Sequence, residues 1–597
     1  MTRIARSRAG VAAARGLALP VALLASLLAS LAGTAAAKDV RALDGRPRPA
    51  QAAVSSAHPE ASEAGMEVLR AGGNAFDAAV AVSAALAVVE PTGSGLTGGG
   101  IYLLHVAQGG RDVAVDAREF APAAASRDMF LDAQGNPVAG LSTDSALAAG
   151  IPGEPAGMAL LAARYGRLPV ARSLAPAIRL ARAGFALTPK LAEAIRMHLA
   201  KFAADPEVAR NFLRDGAVPA VGTVIRQPEL ADVLGQLAHD GLGAFYEGPL
   251  AARLVAGVRA QGGIWTEQDL AAYRAIERAP VAGTYRGARI TSAPPPSGGG
   301  TALIESLNIL AQFELDKAEP VLRKHLVIEA MRRAYRDRAI WLGDPDFVQV
   351  PLARLLSPDY AAGLAASLRA DRATASSELA GPAAGAPAGP QTTSFSVLDR
   401  DGNRVAATIT LNFGFGSGRM VAGTGLFLNN EMDDFSVKPG TPNGYGLVGA
   451  EANAIAPRKR MLSSVTPSFI ESGDRLMITG TPGGSLISTM VLLATLDFID
   501  GKDAAQIAAA PRYHHQYLPD VVRYEPGAFS DAEIAALRAR GDVLEAAPRR
   551  WGNLQTIVWD RSTGRVEAAA DPRGEGAGLV EAVQVPAGAG VRSPARR

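Results

Sequence analysis

The chain of 597 residues contains no cysteine. That excludes a disulfide framework and a lipoprotein attachment site, so stability has to come from the packed core. Neither sign of charge dominates. The 60 basic and 58 acidic residues are interspersed and leave a net charge of +2, which gives nucleic acid or an anionic membrane surface nothing to bind. A small molecule is the default partner. No internal repeat is evident, and although the length would allow several domains, only one clear linker interrupts the chain, just before Thr392. Metal spacing is missing too. Adjacent His514 and His515 point apart and have no third ligand at helical or hairpin spacing, so they read as structural. The glycine-rich run from Gly93 to Gly100 lacks the Gly-Lys-Ser/Thr ending of a phosphate loop and stands between a helix and a strand. Close backbone packing is its reading.

What is present is a globular composition, 48% hydrophobic and 20% charged. At the N-terminus Arg3, Arg6, Arg8 and Arg15 precede the apolar run Leu17 to Ala32 and then Ala35-Ala36-Ala37. That order is a secretory signal with cleavage expected after Ala37, so residues 1–37 are a signal peptide and the mature chain is periplasmic or secreted. The competing reading is an uncleaved anchor. It is disfavoured because the run is short for a membrane span and contains Pro20.

The linker, 371 to 390, is an Ala/Gly/Pro/Ser segment expected to be flexible. It leads into Gln391-Thr392-Thr393-Ser394-Phe395-Ser396-Val397, where alternation predicts a strand. An Asp-Gly turn at Asp401-Gly402 and a second alternating run, Val405 to Leu411, predict a β-hairpin that sets Thr392 opposite Thr410 to Asn412. A threonine at a strand start needs no explanation by itself. Loose chain running into a buried strand, however, is what a self-cutting precursor requires. Cleavage before Thr392 would give one residue both a hydroxyl nucleophile and an α-amino base.

Around the hairpin, helices are expected from Glu60 to Arg70 and from Asn74 to Val89, the second apolar enough to be buried on most sides. Ile101 to His105 and Val113 to Asp116 read as paired strands, and Ala146 to Gly263 as mostly helical without a catalytic constellation. Lys438 to Ile455 is too rich in glycine and proline for a regular element and is expected to be an exposed loop. Gly480 to Ser485 lies between a strand and the helical Ile487 to Leu496. Its amides can therefore face an oxyanion.

Gln391-Thr392-Thr393, the run Leu428 to Phe435, Leu462-Ser463-Ser464 and the run Gly480 to Ser485 together resemble the small subunit of the γ-glutamyltransferases, which are autoprocessed N-terminal-nucleophile hydrolases. The resemblance runs from about Ser55 to about Arg573. It implies an α/β (α+β) fold, a four-layer αββα sandwich formed jointly by a large subunit, 38–391, and a small subunit, 392–597, after cleavage between Gln391 and Thr392. It also implies roles. Thr392 would attack the γ-carbonyl of glutathione or another γ-glutamyl compound, Thr410 would bond the nucleophile, and Gly483 and Gly484 would hold the oxyanion. Arg118, Ser463 and Ser464 would hold the α-carboxylate, Asn412, Glu431 and Asp434 the α-ammonium, with Tyr445 as a lid. The acyl group would pass to water or to an amino acid or dipeptide, and no metal or organic cofactor is called for. Ser394 departs from the histidine that many members carry there. The alternatives are a related acylase cleaving glutaryl-type side chains, an unprocessed binding protein without activity, and a membrane-anchored form.

Overall fold

The computed structural model describes residues 47–381 and 392–583; residues 1–37, expected to be a signal peptide, Gln391 and the tail from Pro586 lie outside the described residues. In chain order, β1 is Ala52–Ser56, followed by helices α1, Pro59–Arg70, and α2, Ala75–Val89, then strands β2, Gly99–Val106, and β3, Arg111–Ala117. After a largely helical stretch come β4, Ile276–Arg278, β5, Val281–Tyr285, and β6, Ala288–Ser292, then α3, Gly299–Leu310, and α4, Pro320–Trp341. Beyond position 392 lie β7, Thr393–Leu398, β8, Arg404–Thr410, β9, Ser468–Ser472, β10, Arg475–Gly480, α5, Ile487–Ile499, β11, Gln555–Asp560, β12, Val566–Ala570, and β13, Ala577–Glu581.

These strands make two antiparallel sheets. One has seven strands in the order β13-β1-β7-β8-β2-β3-β4, the other six in the order β12-β11-β10-β9-β6-β5. Alternation along each strand decides which layer its side chains enter. From β7 and β8, Phe395, Val397, Val405, Ala407 and Ile409 pack on α1 and α2. The opposite faces, with Leu398 and Ala406, meet Phe469, Ile478, Ile557 and Trp559 of the second sheet. Ile290, Ile470 and Met477 then face α3, α4 and α5. The result is helix, sheet, sheet, helix, the four-layer arrangement the resemblance implied.

Helix α2 is buried at all 15 positions, and a capping box between Asn74 and Asp77 satisfies its first turn. Sequence patterning missed β1, which is short and all small residues, AAVSS, yet pairs on both sides, with β7 and with the edge strand β13. A second difference concerns the linker. Residues up to 381 are docked rather than loose: the Thr374 amide donates to Glu329 Oε1 at 3.0 Å and the Ser376 amide to Asp520 Oδ2 at 2.7 Å. The rest of the expected linker, 382–390, lies outside the described residues. No helix among the described residues is long and apolar enough to cross a membrane.

Candidate active site

The hairpin register pairs Ile409 with Thr393, so Thr392 falls opposite Thr410 at the end of the strands. Their hydroxyl oxygens are 3.4 Å apart, and the Asn412 amide donates to Thr410 Oγ1 at 2.7 Å. With its lone pair engaged, the Thr410 hydroxyl is left to donate its proton towards Thr392. The glycine run packs behind them as read from the sequence. A Cβ at Gly98 would sit 2.0 Å from the Thr410 carbonyl oxygen, so only glycine lets β8 approach.

A small cleft lies at this point, lined by Thr392, Thr410, Asn412, Asp434, Tyr445, Ser463, Ser464, Val465, Gly484 and Ile487. One wall is the turn after β10. Gly483 and Gly484 have φ of 150° and 55°, and a Cβ on Gly484 would meet Tyr445 Cε1 at 2.3 Å. The glycines thus keep the turn open between the nucleophile and the start of α5, where backbone N–H groups gather.

The acidic wall follows the short strand Leu426–Phe427, in the 3₁₀ turn Glu431–Asp434. Arg118, fully buried at the end of β3, donates to Glu431 Oε2 at 2.6 Å and Asp434 Oδ2 at 3.2 Å, with Glu119 at 3.3 Å. One guanidinium therefore faces three carboxylates. Burial and the nearby Glu431 push the Asp434 carboxyl well above the usual range, and Arg118 only partly offsets this. Glu431 Oε1 has no hydrogen-bond partner among the described residues. Such a cluster is short of positive charge and fits an ammonium ion. Of this cluster Asp434 lines the cleft, with Arg118 bonded to it.

At the other wall, Ser463 Oγ accepts from the Val465 amide at 3.2 Å and Ser464 Oγ accepts from Arg338 Nη2 at 2.9 Å. Both hydroxyl protons remain for a ligand. The loop expected to be exposed is instead folded down over the cleft. Tyr445 is 3% exposed, donates its hydroxyl to the Asn412 carbonyl at 2.7 Å, and stacks on Phe413 at 4.5 Å. Asn443 and Asp433 hold the loop's backbone, Asp433 Oδ2 accepting from the Gly444 amide at 2.8 Å. The glycines and prolines gave the irregular backbone correctly, but they say nothing about an aromatic anchor.

Several contributors escaped sequence reasoning. Asn430 aligns Asn412 by accepting from its Nδ2 at 2.9 Å and from the Phe413 amide at 3.1 Å, while Asn429 ties the turn to Thr97 and Gly150. Paired asparagines just after a strand were the available signal. Ser394 bonds Thr408 at 2.8 Å and faces Gly480 between the sheets, outside the cleft. His514 and His515 are buried and hydrogen-bonded to Thr489, Gln516 and Asp520, and burial holds them down at about 3 and 4. Ligand atoms of His325, Glu329 and Asp542 lie within 4.8 Å of one another, yet the Arg332 and Arg333 guanidinia already pair with these acids. That cluster is an ion-pair network away from the cleft.

A threonine opening a central strand between two stacked sheets, beside a glycine turn and a cleft with one acidic wall, defines the architecture of the N-terminal-nucleophile hydrolases. Residues 61–581 match the family model described as gamma-glutamyltranspeptidase. The chain is 42% identical over 535 residues to the glutathione hydrolase proenzyme of Escherichia coli, covering 88% of this chain and 91% of that protein. Among solved structures it is similar to a cephalosporin acylase from Bacillus halodurans, with a TM-score of 0.78, 29% identity, and coverage of 89% of this chain and 96% of that one. It is also similar to the Helicobacter pylori gamma-glutamyltranspeptidase, with a TM-score of 0.53 and 40% identity over 55% of this chain and 94% of that one. The chain belongs to the gamma-glutamyltranspeptidase family.

Proposed function

We propose that this protein is an exported, self-cleaving γ-glutamyltransferase and glutathione hydrolase. The single observation that carries this is one cleft lined at once by Thr392 and Thr410, by Asp434, and by Ser463 and Ser464. A nucleophile thus lies between a wall for an ammonium and a wall for a carboxylate, the two charges of a glutamyl headgroup.

Scission of the Gln391–Thr392 bond divides residues 38–391 from 392–597 and frees the Thr392 α-amino group. This group takes the Oγ proton as Oγ attacks the γ-carbonyl carbon, with Thr410 orienting the hydroxyl. The Gly483 and Gly484 amides receive the negative charge on the carbonyl oxygen, each worth roughly 3 kcal/mol in comparable sites. The α-amino group then returns the proton to the departing nitrogen, leaving a Thr392 ester. Water releases glutamate, or an amino acid or dipeptide amine takes the glutamyl group. Arg118, Ser463 and Ser464 hold the substrate α-carboxylate, Asn412, Glu431 and Asp434 hold its α-ammonium, and the Tyr445 loop keeps bulk water off the ester.

The acidic wall favours this reading over a glutaryl-cleaving acylase, whose substrate has no α-ammonium. Turnover of γ-glutamyl-p-nitroanilide against glutaryl-p-nitroanilide is the test. A preference for the γ-glutamyl compound of at least about 100-fold is expected from one buried charge pair. Equal turnover would contradict the reading. Export predicts release from cells by osmotic shock; retention on membranes through a high-salt wash would indicate an anchor instead.

A further inference from the structure

An N-terminal nucleophile is also a chain end, and chain ends fray unless something ties them down. Once the bond before Thr392 is cut, its hydroxyl and α-amino group depend for their position on the first residues of β7. β8 pairs with that strand from Thr393 onward, but β1 joins only at Phe395, so among the described residues Thr393 and Ser394 are laddered on one side. The end of α2 supplies a further hold, from the helix face. Thr393 is fully buried and donates its hydroxyl to Glu90 Oε2. Glu90 caps the C-terminus of α2, is 8% exposed, and has its other oxygen 3.6 Å from Lys190 Nζ. Helix stability does not explain an acid there, because the C-terminal end of the macrodipole repels negative charge. The Glu90 carbonyl accepts from the Gly93 amide at 3.0 Å, which turns the chain back against the nucleophile. A Cβ at Gly93 would lie 3.0 Å from the Thr392 carbonyl oxygen and 3.1 Å from Thr393 Cβ. The turn is thus seated on the peptide plane that joins Thr392 to Thr393.

We infer that Glu90 is a positioning residue for the mature enzyme: through Thr393 it pins the cut end of β7 and so fixes where the Thr392 hydroxyl and α-amino group stand. Glu90 lies before the cut and Thr393 after it, so one fragment keeps the nucleophile of the other in place. The role differs from plain scaffolding in when it acts. In the precursor Thr392 is held covalently from both sides, and the loss of one side-chain bond has little leverage on the first scission. In the mature chain Thr393 is the one covalent hold that remains. A displacement of about 1 Å at a reacting atom is enough to cost roughly 100-fold in rate. The groups that grip the headgroup belong to other elements, the turn Glu431–Asp434 and the pair Ser463 and Ser464, and stay where they are. This rests on the self-cleaving γ-glutamyl reading given above and adds what steadies its nucleophile.

The test uses the purified, cut enzyme with γ-glutamyl-p-nitroanilide as donor, beside a denaturing gel that reports the extent of self-cleavage. Glu90→Leu removes the acceptor and leaves Lys190, which is half-exposed, to the solvent. It should cut to completion and keep KM nearly unchanged, yet lose kcat by about 10- to 100-fold, the range of a lost charge-assisted bond that also displaces the reacting oxygen. Glu90→Gln retains an acceptor for Thr393 and should recover most of kcat. Thr393→Val should lose as much as Glu90→Leu, and the double variant should be no worse than either alone, because both break one path. A cut Glu90→Leu enzyme with wild-type kcat overturns the role while the site reading stands. So does a loss that falls on KM, or one that Glu90→Gln fails to restore. Should Glu90→Leu stay uncut or fail to fold, Thr393→Val decides: a cut enzyme with lowered kcat and unchanged KM supports the role, and a wild-type kcat or an uncut chain overturns it. If the wild type itself stays uncut, the self-cleaving reading falls and this role with it.

Discussion

Thr392 and Thr410 are ordinary strand residues made unusual by where the strands end. Register sets their hydroxyls 3.4 Å apart, and the Asn412 amide fixes the direction of the Thr410 proton. Thr410→Val, which keeps the shape and removes the hydroxyl, should lower kcat about 10- to 100-fold, as expected for a hydrogen bond to the reacting oxygen, with little change in KM. Steady-state kinetics on γ-glutamyl-p-nitroanilide would reveal it, and an unchanged kcat would remove Thr410 from the mechanism. Asp434 makes a different kind of contribution, a charge rather than a direction. Asp434→Asn should cost roughly 100-fold or more in kcat/KM for an ammonium-bearing donor while sparing a glutaryl one, because only the former leaves an unpaired buried charge. Equal losses with both donors would mean that Asp434 does not read the ammonium.

The elements that matter are the hairpin, the glycine turn and the lid, and they differ in how far a sequence discloses them. The hairpin was legible because alternation and an Asp-Gly turn are local, and they placed Thr392 opposite Thr410 to Asn412, of which the register selects Thr410. The turn was legible as a glycine-rich strand-to-helix junction, but why Gly484 must be glycine was not: Tyr445, 39 residues earlier, fills the space its Cβ would need. Gly484→Ala should therefore disturb the lid and the oxyanion turn together, lowering kcat by about 100-fold, the scale of one lost oxyanion donor. Kinetics together with tyrosine fluorescence of the lid would test this, and a variant with wild-type kcat would contradict it. The docking of the lid and the buried Arg338 stayed hidden for the same reason. Both depend on contacts between segments far apart in sequence, which no local pattern encodes. β1 was missed because small residues carry little strand signal when the partners supply the burial.

At the scale of the molecule, segments from before and after position 392 alternate within one sheet, β1 beside β7 and β8 beside β2. Cleavage should therefore leave one particle: the two fragments should co-elute in size-exclusion chromatography and part only in denaturant, and separation under native conditions would contradict the shared core. The core also carries a pH signature. Burial raises the Glu154 carboxyl to about 7, against the pull of its hydrogen bond from Tyr102. A folded value above the unfolded one means that stability is full below the unfolded value and is lost as pH rises through about 7. Urea unfolding should show wild type losing up to ~3 kcal/mol more than Glu154→Gln between pH 5 and pH 8, and parallel losses would contradict this. The central claim concerns the chain itself and is tested most directly by intact mass and N-terminal sequencing of the purified protein beside Thr392→Ala. Two fragments in the wild type, the smaller beginning Thr392-Thr393-Ser394, and a single uncut chain in the variant are the predicted result. A wild-type protein that stays in one piece would contradict the account.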